Sequence, residues 1–190
     1  MEDFSILQAS PEVVAPRLLG CELVRVIDGQ VMRGRIVETE AYHQTDEASH
    51  SYRGKTSRTA VMFGPAGHLY VYFTYGMYHC CNVVCGSAGE GTGVLIRALE
   101  PLEGLDVMQQ NRHGVAMAQL TNGPGKLCQA LHIDRTNNGH DLHKDPIRLI
   151  IKPPLAADKI VQATRIGISK AVDTPWRFYE KSNPFVSKIA

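Results

Sequence analysis

The stretch LYVYFTYGMYHCCNVVC, residues 69–85, decides the fold. Its first half alternates: Leu69, Val71 and Phe73 fall on one face of a strand, Tyr70 and Tyr72 on the other. Tyr75-Gly76 supplies a turn, because glycine reaches positive φ without steric cost. Met77 to Val84, rich in aromatic, cysteine and β-branched residues, reads as the returning strand. The spacing therefore predicts a β-hairpin with a tyrosine at its tip. A tip faces water and usually carries small or polar residues, so Tyr75 either packs back on its own hairpin or serves as a tool.

Outward from this hairpin the chain reads as antiparallel sheet. Cys21 to Ile27 and Gln30 to Thr39 are strands joined by Asp28-Gly29, a two-residue hairpin signal. Val94 to Leu99 is a further strand, ended by Glu100-Pro101, and the glycine-rich 86–93 before it reads as a hairpin loop. Ile147 to Ile151 is another, stopped by Pro153-Pro154. Helices are expected after Ser10-Pro11-Glu12 up to Gly20, over Leu102–Arg112, from Pro124 to near His132 with Asn122 as cap, and over Ala157–Thr164. No βαβ rhythm, G-x-G-x-x-G or P-loop pattern occurs, which argues against a nucleotide-cofactor fold.

Composition narrows the class. At 190 residues and 44% hydrophobic content, one domain with a proper core is expected. Twenty basic residues against 19 acidic leave a net charge of +1, so only a local patch could argue for a polyanionic partner. Five cysteines without a C-x-x-C motif point to reduced thiols in a cytosolic protein. No signal peptide or membrane-spanning stretch is visible. His79 with Cys81 and Cys85, and His140 with His143, match no familiar ligand spacing, so neither a metal nor a cofactor is expected.

Four features carry possible chemistry. In VETEAY, residues 37–42, Glu38 and Glu40 share a strand face with Tyr42; two such carboxylates act as acid and base or form salt bridges. Residues 49–60 hold His50, Arg53, Lys55 and Arg58 with no acid, a loop that either grips phosphates or is simply solvated. Arg97 lies in an apolar strand and needs a carboxylate or phosphate partner, Glu38 or Glu40 being available. Gly123, Gly125 and Lys126 open a helix, which makes either a phosphate seat or an ordinary capped start. An aromatic tip, buried-looking glutamates, a basic loop and a phosphate-suited turn together describe an enzyme that extrudes a base from duplex DNA and attacks its sugar.

At these residues the chain resembles the alkyladenine (3-methyladenine) DNA glycosylases, in a compact bacterial-type form. The similarity runs from about residue 16 onward through RIVETEAY (35–42), MFGPAGHLYVYFTYGMYHCCNV (62–83), VLIRALEPLEG (94–104), GPGKLCQAL (123–131) and RFYEKSNPFVS (177–187). It implies an α+β fold: one compact domain over residues 1–190, a mixed, mainly antiparallel β-sheet with surrounding helices and a protruding hairpin. It implies a monofunctional glycosylase of base excision repair that flips alkylated purines from double-stranded DNA and leaves an abasic site. The substrates would be 3-methyladenine and 7-methylguanine, with hypoxanthine and ethenoadenine as further candidates. A non-catalytic lesion-binding protein is the alternative. By the same resemblance Glu40 is the general base and Arg97 holds Glu40 and the water. Tyr42, His50, Tyr72 and Asn82 form the base pocket, and the Ile166 carbonyl orients the water. Tyr75 intercalates, flanked by Met77 and Tyr78, while Arg53, Lys55, Arg58, Gly125 and Lys126 meet phosphates. A monomer, cytoplasmic and associated with the nucleoid in a bacterium, completes the expectation.

Overall fold

One long strand, Gln30–Tyr42 (β2), is the spine of the sheet. Glu22–Ile27 (β1) folds back on its first half through Asp28 and Gly29, whose φ angles of 50° and 79° are those a tight two-residue turn demands. On its other edge β2 pairs with Gly93–Glu103 (β5) from Arg33 to Tyr42. The computed structural model describes residues 3–74 and 76–187.

Beyond Ile36 the strand changes neighbours. Its second half leaves β1 and pairs at Glu38–Glu40 with Arg177–Glu180 (β8), which itself pairs with Ile160–Ala163 (β7). The register against β5 shifts between Ile36 and Thr39, and a bulge of this kind bends a strand and re-aims its side chains. Leu69–Thr74 (β3) and Tyr78–Val83 (β4) form the expected hairpin, attached to β5 through Asn82 and Val83. Ile147–Ile150 (β6) closes the far edge against β1. Every strand pairing among the described residues is antiparallel.

Three α-helices are found among the described residues: Pro11–Arg17 (α1), Leu105–Asn111 (α2) and Pro124–Ala130 (α3). Helix α1 buries Val14 and Ala15 on β2, where the Thr39 hydroxyl donates to the Ala15 carbonyl at 2.9 Å. Helix α3 covers β4 with Leu127 and Cys128. Between helices and sheet lies one continuous core, including Leu23, Met32, Ile36, Val71, Cys81, Ile96, Leu99 and Phe178. Burying each large aliphatic side chain contributes about 1.5–3 kcal/mol. All five cysteines are buried. The hairpin runs out past this core, so Phe73 and Met77 are 48% and 66% exposed. Tyr75 lies outside the described residues.

Several boundaries depart from the sequence reading. Strand β2 continues past Thr39 to Tyr42, carrying the whole VETEAY segment into the sheet. Strand β5 is not ended by Glu100-Pro101: Pro101 sits opposite Gly34 at a register shift, where the ladder is already irregular and a missing N–H is tolerated. Residues 157–164 are not a helix but a short 3₁₀ turn, Ala157–Lys159, followed by β7, where β-branched Ile160 and Val161 pair with β8. Helix α2 begins three residues later than Leu102, since β5 runs to Glu103. Helix α3 starts from Gly123, with no side-chain cap; Asn122 instead accepts a hydrogen bond from Lys126 Nζ at 2.8 Å. No helix among the described residues is long and apolar enough to cross a membrane.

The turn between β5 and α2 depends on Gly104, which has φ of 73° and packs against the backbone of Val31 and Met32. A methyl group there collides with the Val31 carbonyl oxygen, and the residue is also forced into the left-handed region. Gly104→Ala is expected to destabilise the protein by about 1–3 kcal/mol, read as a lower urea midpoint; an unchanged midpoint contradicts the packing described.

Candidate active site

The re-aimed half of β2 delivers two fully buried glutamates to opposite duties. Glu38 Oε1 accepts from Arg177 Nε at 2.7 Å, Ser187 Oγ at 2.8 Å and Arg97 Nε at 3.2 Å. Its Oε2 accepts from the Ser187 amide at 2.7 Å. Glu38 is thus sealed between β5, β8 and the backbone at Ser187, and is not among the residues lining the cavity that Glu40 borders. Glu40, two residues on, does. Its Oε1 accepts from the Ile166 amide at 2.8 Å and faces Arg97 Nη1 at 3.2 Å. Its Oε2 accepts from the Tyr42 hydroxyl at 2.8 Å.

Arg97 answers the question its sequence posed: it binds both carboxylates at once, Nε to Glu38 and Nη1 to Glu40. Burial works against its charge, but Glu40 and Glu38 outweigh that and hold its pKa above the ordinary value. Burial, with the neighbouring Glu40 charge, raises the Tyr42 pKa, so its hydroxyl stays protonated as the donor Glu40 requires.

Above Glu40 opens a cavity of about 370 Å³, within the range of small-molecule sites. Its walls come from alternation on three strands: Tyr42 from β2, Tyr70 and Tyr72 from β3, Cys80 and Asn82 from β4. Tyr70 and Tyr72 stack with centroids 5.6 Å apart and planes 27° apart. His50 reaches in from the polar loop, edge-on to Tyr72 at 4.5 Å, with Nδ1 3.1 Å from the Tyr70 hydroxyl. Arg58 Nη2 lies 3.5 Å from His50 Nε2. A guanidinium only donates, so Nε2 accepts and Nδ1 carries the proton toward Tyr70. Burial first, and the Arg58 charge second, push the His50 pKa down to about 4. Asn82, buried at the pocket wall, donates from Nδ2 to the Tyr70 carbonyl at 3.3 Å.

The structure thus brings together Glu40, Arg97, Tyr42, His50, Tyr72, Asn82 and Ile166 around one space. Ile166 meets Glu40 through its amide, whereas the resemblance implied a role for its carbonyl. Arg53 and Lys55 are exposed on the loop outside that lining, and Arg58 reaches the His50 and Tyr72 rings. Met77, Tyr78 and Gly125 border a second cleft of about 220 Å³. Gly125 owes its identity to packing: a Cβ there lies 3.0 Å from Tyr78 Cβ. Among the described residues no group of three His, Cys, Asp or Glu side chains is arranged to hold a metal.

Sequence reasoning missed four parts of this site. Tyr70 and Cys80 line the cavity, and the period of two from Tyr72 and Asn82 was the signal that could have found them. Asp46 and Arg165 had no such signal, being 119 positions apart. The Arg165 guanidinium, fully buried, forms a two-pronged ion pair with Asp46, donates to the Ala41 carbonyl at 3.0 Å and lies over the Tyr42 ring at 4.8 Å. It thereby fixes the back of Tyr42 and, as the neighbour of Ile166, the irregular backbone after β7 that donates to Glu40.

Comparison with known proteins gives the class and then the family. The family model described as "Methylpurine-DNA glycosylase (MPG)" matches residues 5–184. A protein of Carboxydothermus hydrogenoformans is 55% identical over 93% of this chain and 93% of its own. One from Methanoculleus marisnigri is 52% identical over 92% of each, and one from Nitrosospira multiformis 48% identical over 98% of this chain and 92% of its own. Each bears the name "Putative 3-methyladenine DNA glycosylase". The protein is therefore an enzyme of the DNA glycosylase class, a hydrolase of N-glycosyl bonds acting on DNA. Within that class, the chain belongs to the methylpurine-DNA glycosylase family.

Two expectations follow from this geometry. Glu38→Ala leaves Arg97 and Arg177 without their shared carboxylate, and removing one partner of a buried pair costs about 3–5 kcal/mol; equilibrium denaturation should show that loss. The His50 ring should titrate near 4 instead of near 6.5. Between those two values the unfolded chain takes up a proton that the folded ring refuses, so the His50 contribution to stability is lost as pH falls through that window. Histidine NMR across the range measures the midpoint, and a value near 6.5 would contradict the desolvation of the His50 ring at the pocket wall.

Proposed function

We propose that this chain is a monofunctional DNA glycosylase of base excision repair that removes alkylated purines from double-stranded DNA by base flipping. The observation that carries the reading is the Glu40 carboxylate, wholly buried yet lining the ring-walled cavity, with both oxygens engaged by the Ile166 amide, Arg97 and Tyr42. Such donors fix its orientation without filling the space above it. A water held there loses its proton to Glu40 as it attacks the anomeric carbon. The purine departs with the bonding electrons, helped by any positive charge alkylation has given it. The oxocarbenium-like sugar left behind is stabilised by the same carboxylate. The product is an abasic site in an unbroken strand.

The walls suit the substrate. Tyr42 and Tyr72 offer π faces to a flat, electron-poor ring, and a cationic base such as 3-methyladenine or 7-methylguanine gains further from them. Hypoxanthine and ethenoadenine are the neutral candidates. Asn82 crowds the position where a normal guanine carries its amino group. Tyr75 is assigned to the gap left in the stack, and the exposure of Met77 and Phe73 beside it supports a hairpin that enters DNA. Arg53, Lys55, Arg58, Gly125 and Lys126 are assigned to phosphates, and the enzyme acts as a monomer, in a bacterium at the nucleoid.

The decisive experiment is release of 3-methyladenine from methylated duplex DNA in EDTA, wild type beside Glu40→Gln. The wild type should release the base, and the substitution should slow release by about 10²–10⁴-fold. A wild type that binds the lesion but releases nothing would instead make the protein a lesion binder; full activity in Glu40→Gln would dismiss Glu40 as the base.

A further inference from the structure

One cation of the basic loop stands where phosphate binding alone does not require it. The Arg58 guanidinium lies 3.5 Å from His50 Nε2 and 5.8 Å from the centre of the Tyr72 ring, two of the rings that wall the cavity. Its side chain is exposed, but the turn beneath it is built. Thr59, buried, accepts the Thr56 amide at 2.9 Å and lies 3.3 Å from the Gly54 carbonyl, while Thr56 Oγ1 accepts the Thr59 amide at 3.2 Å. This self-bonded turn presents Arg58 toward the rings. At the cavity rim the guanidinium begins a relay in which Arg58 donates to His50 and His50 to Tyr70.

We propose that Arg58 is a specificity-determining residue, a fixed positive charge at the pocket rim that limits how far the enzyme favours positively charged bases over neutral ones. The inference rests on the reading of this cavity as the base pocket. The pocket interior otherwise favours cations, through the Glu40 carboxylate and the tyrosine faces. Arg58 opposes that in two ways. It already occupies the π cloud of Tyr72, which a cationic base must share, and it repels a second positive charge placed within a few ångströms. A neutral base meets neither penalty. Arg58 therefore levels the affinities of cationic and neutral lesions. A residue that only touched a phosphate would weaken every duplex alike and leave their ratio unmoved.

The test is the ratio of two dissociation constants for the full chain, measured by anisotropy. One duplex carries 2′-fluoro-7-methylguanosine, a cationic base, and the other 2′-fluoro-inosine, a neutral one, each opposite cytosine; the fluorine blocks cleavage. Arg58→Ala should shift the ratio toward the cationic lesion by roughly fivefold. Arg58→Lys, which keeps the charge, should hold it within about twofold of wild type. Equal loss of affinity for both duplexes, no change in either, or a shift toward the neutral lesion overturns the proposal. A wild type that binds neither lesion more tightly than undamaged duplex overturns the base-pocket reading itself, and this inference with it.

Discussion

The buried chain of charges Glu40–Arg97–Glu38–Arg177 is the constraint on which the rest of the molecule depends. Four ionised groups are removed from water together, which is tolerable only because each has an oppositely charged neighbour. The arrangement forces three strands into register at one point. Glu38 and Glu40 lie on β2, Arg97 on β5 and Arg177 on β8, and the partner switch and bulge in β2 occur at the same place. A slip of one residue would turn each of these charges to the other face, together with the apolar side chains of the same strand.

That rigidity is then put to chemical use. The two glutamates differ by two positions in sequence, yet one is saturated and enclosed while the other borders open space. Enclosure of Glu38 leaves Glu40 to border the cavity, and the Arg97 they share ties the alignment of the sheet to the carboxylate we propose as the base. The tyrosine walls are fixed in a similar manner. Tyr42 is bound in front by Glu40 and backed by the Asp46–Arg165 pair, so its ring has little freedom.

What the sequence made legible follows from distance along the chain. Alternation placed Glu38, Glu40 and Tyr42 on one face, and Tyr70 with Tyr72 on another, because period two is a local property. Asp28-Gly29 announced its turn for the same reason. Arg97 in an apolar strand told of a carboxylate partner, although not that there would be two. Pairings such as Arg165 with Asp46 or Ser187 with Glu38 leave no periodic trace, and so were invisible. The helix expected over 157–164 became a strand because an edge of β8 was available, which no window of eight residues reveals. The resemblance supplied roles that geometry alone would have left open, and beside the role it implied for the Ile166 carbonyl the structure adds the Ile166 amide as a donor to Glu40.

The anchoring of Glu38 also sets a condition on how the sheet is assembled. Its partners Arg97, Arg177 and Ser187 follow it by 59, 139 and 149 positions, so its hydrogen bonds are completed only when segments distant in sequence have met. Arg97 engages Oε1, but Oε2 has to wait for the Ser187 amide. The stretch of β2 that carries Glu40 therefore reaches its final seat through long-range pairing, the kind of contact that forms slowly.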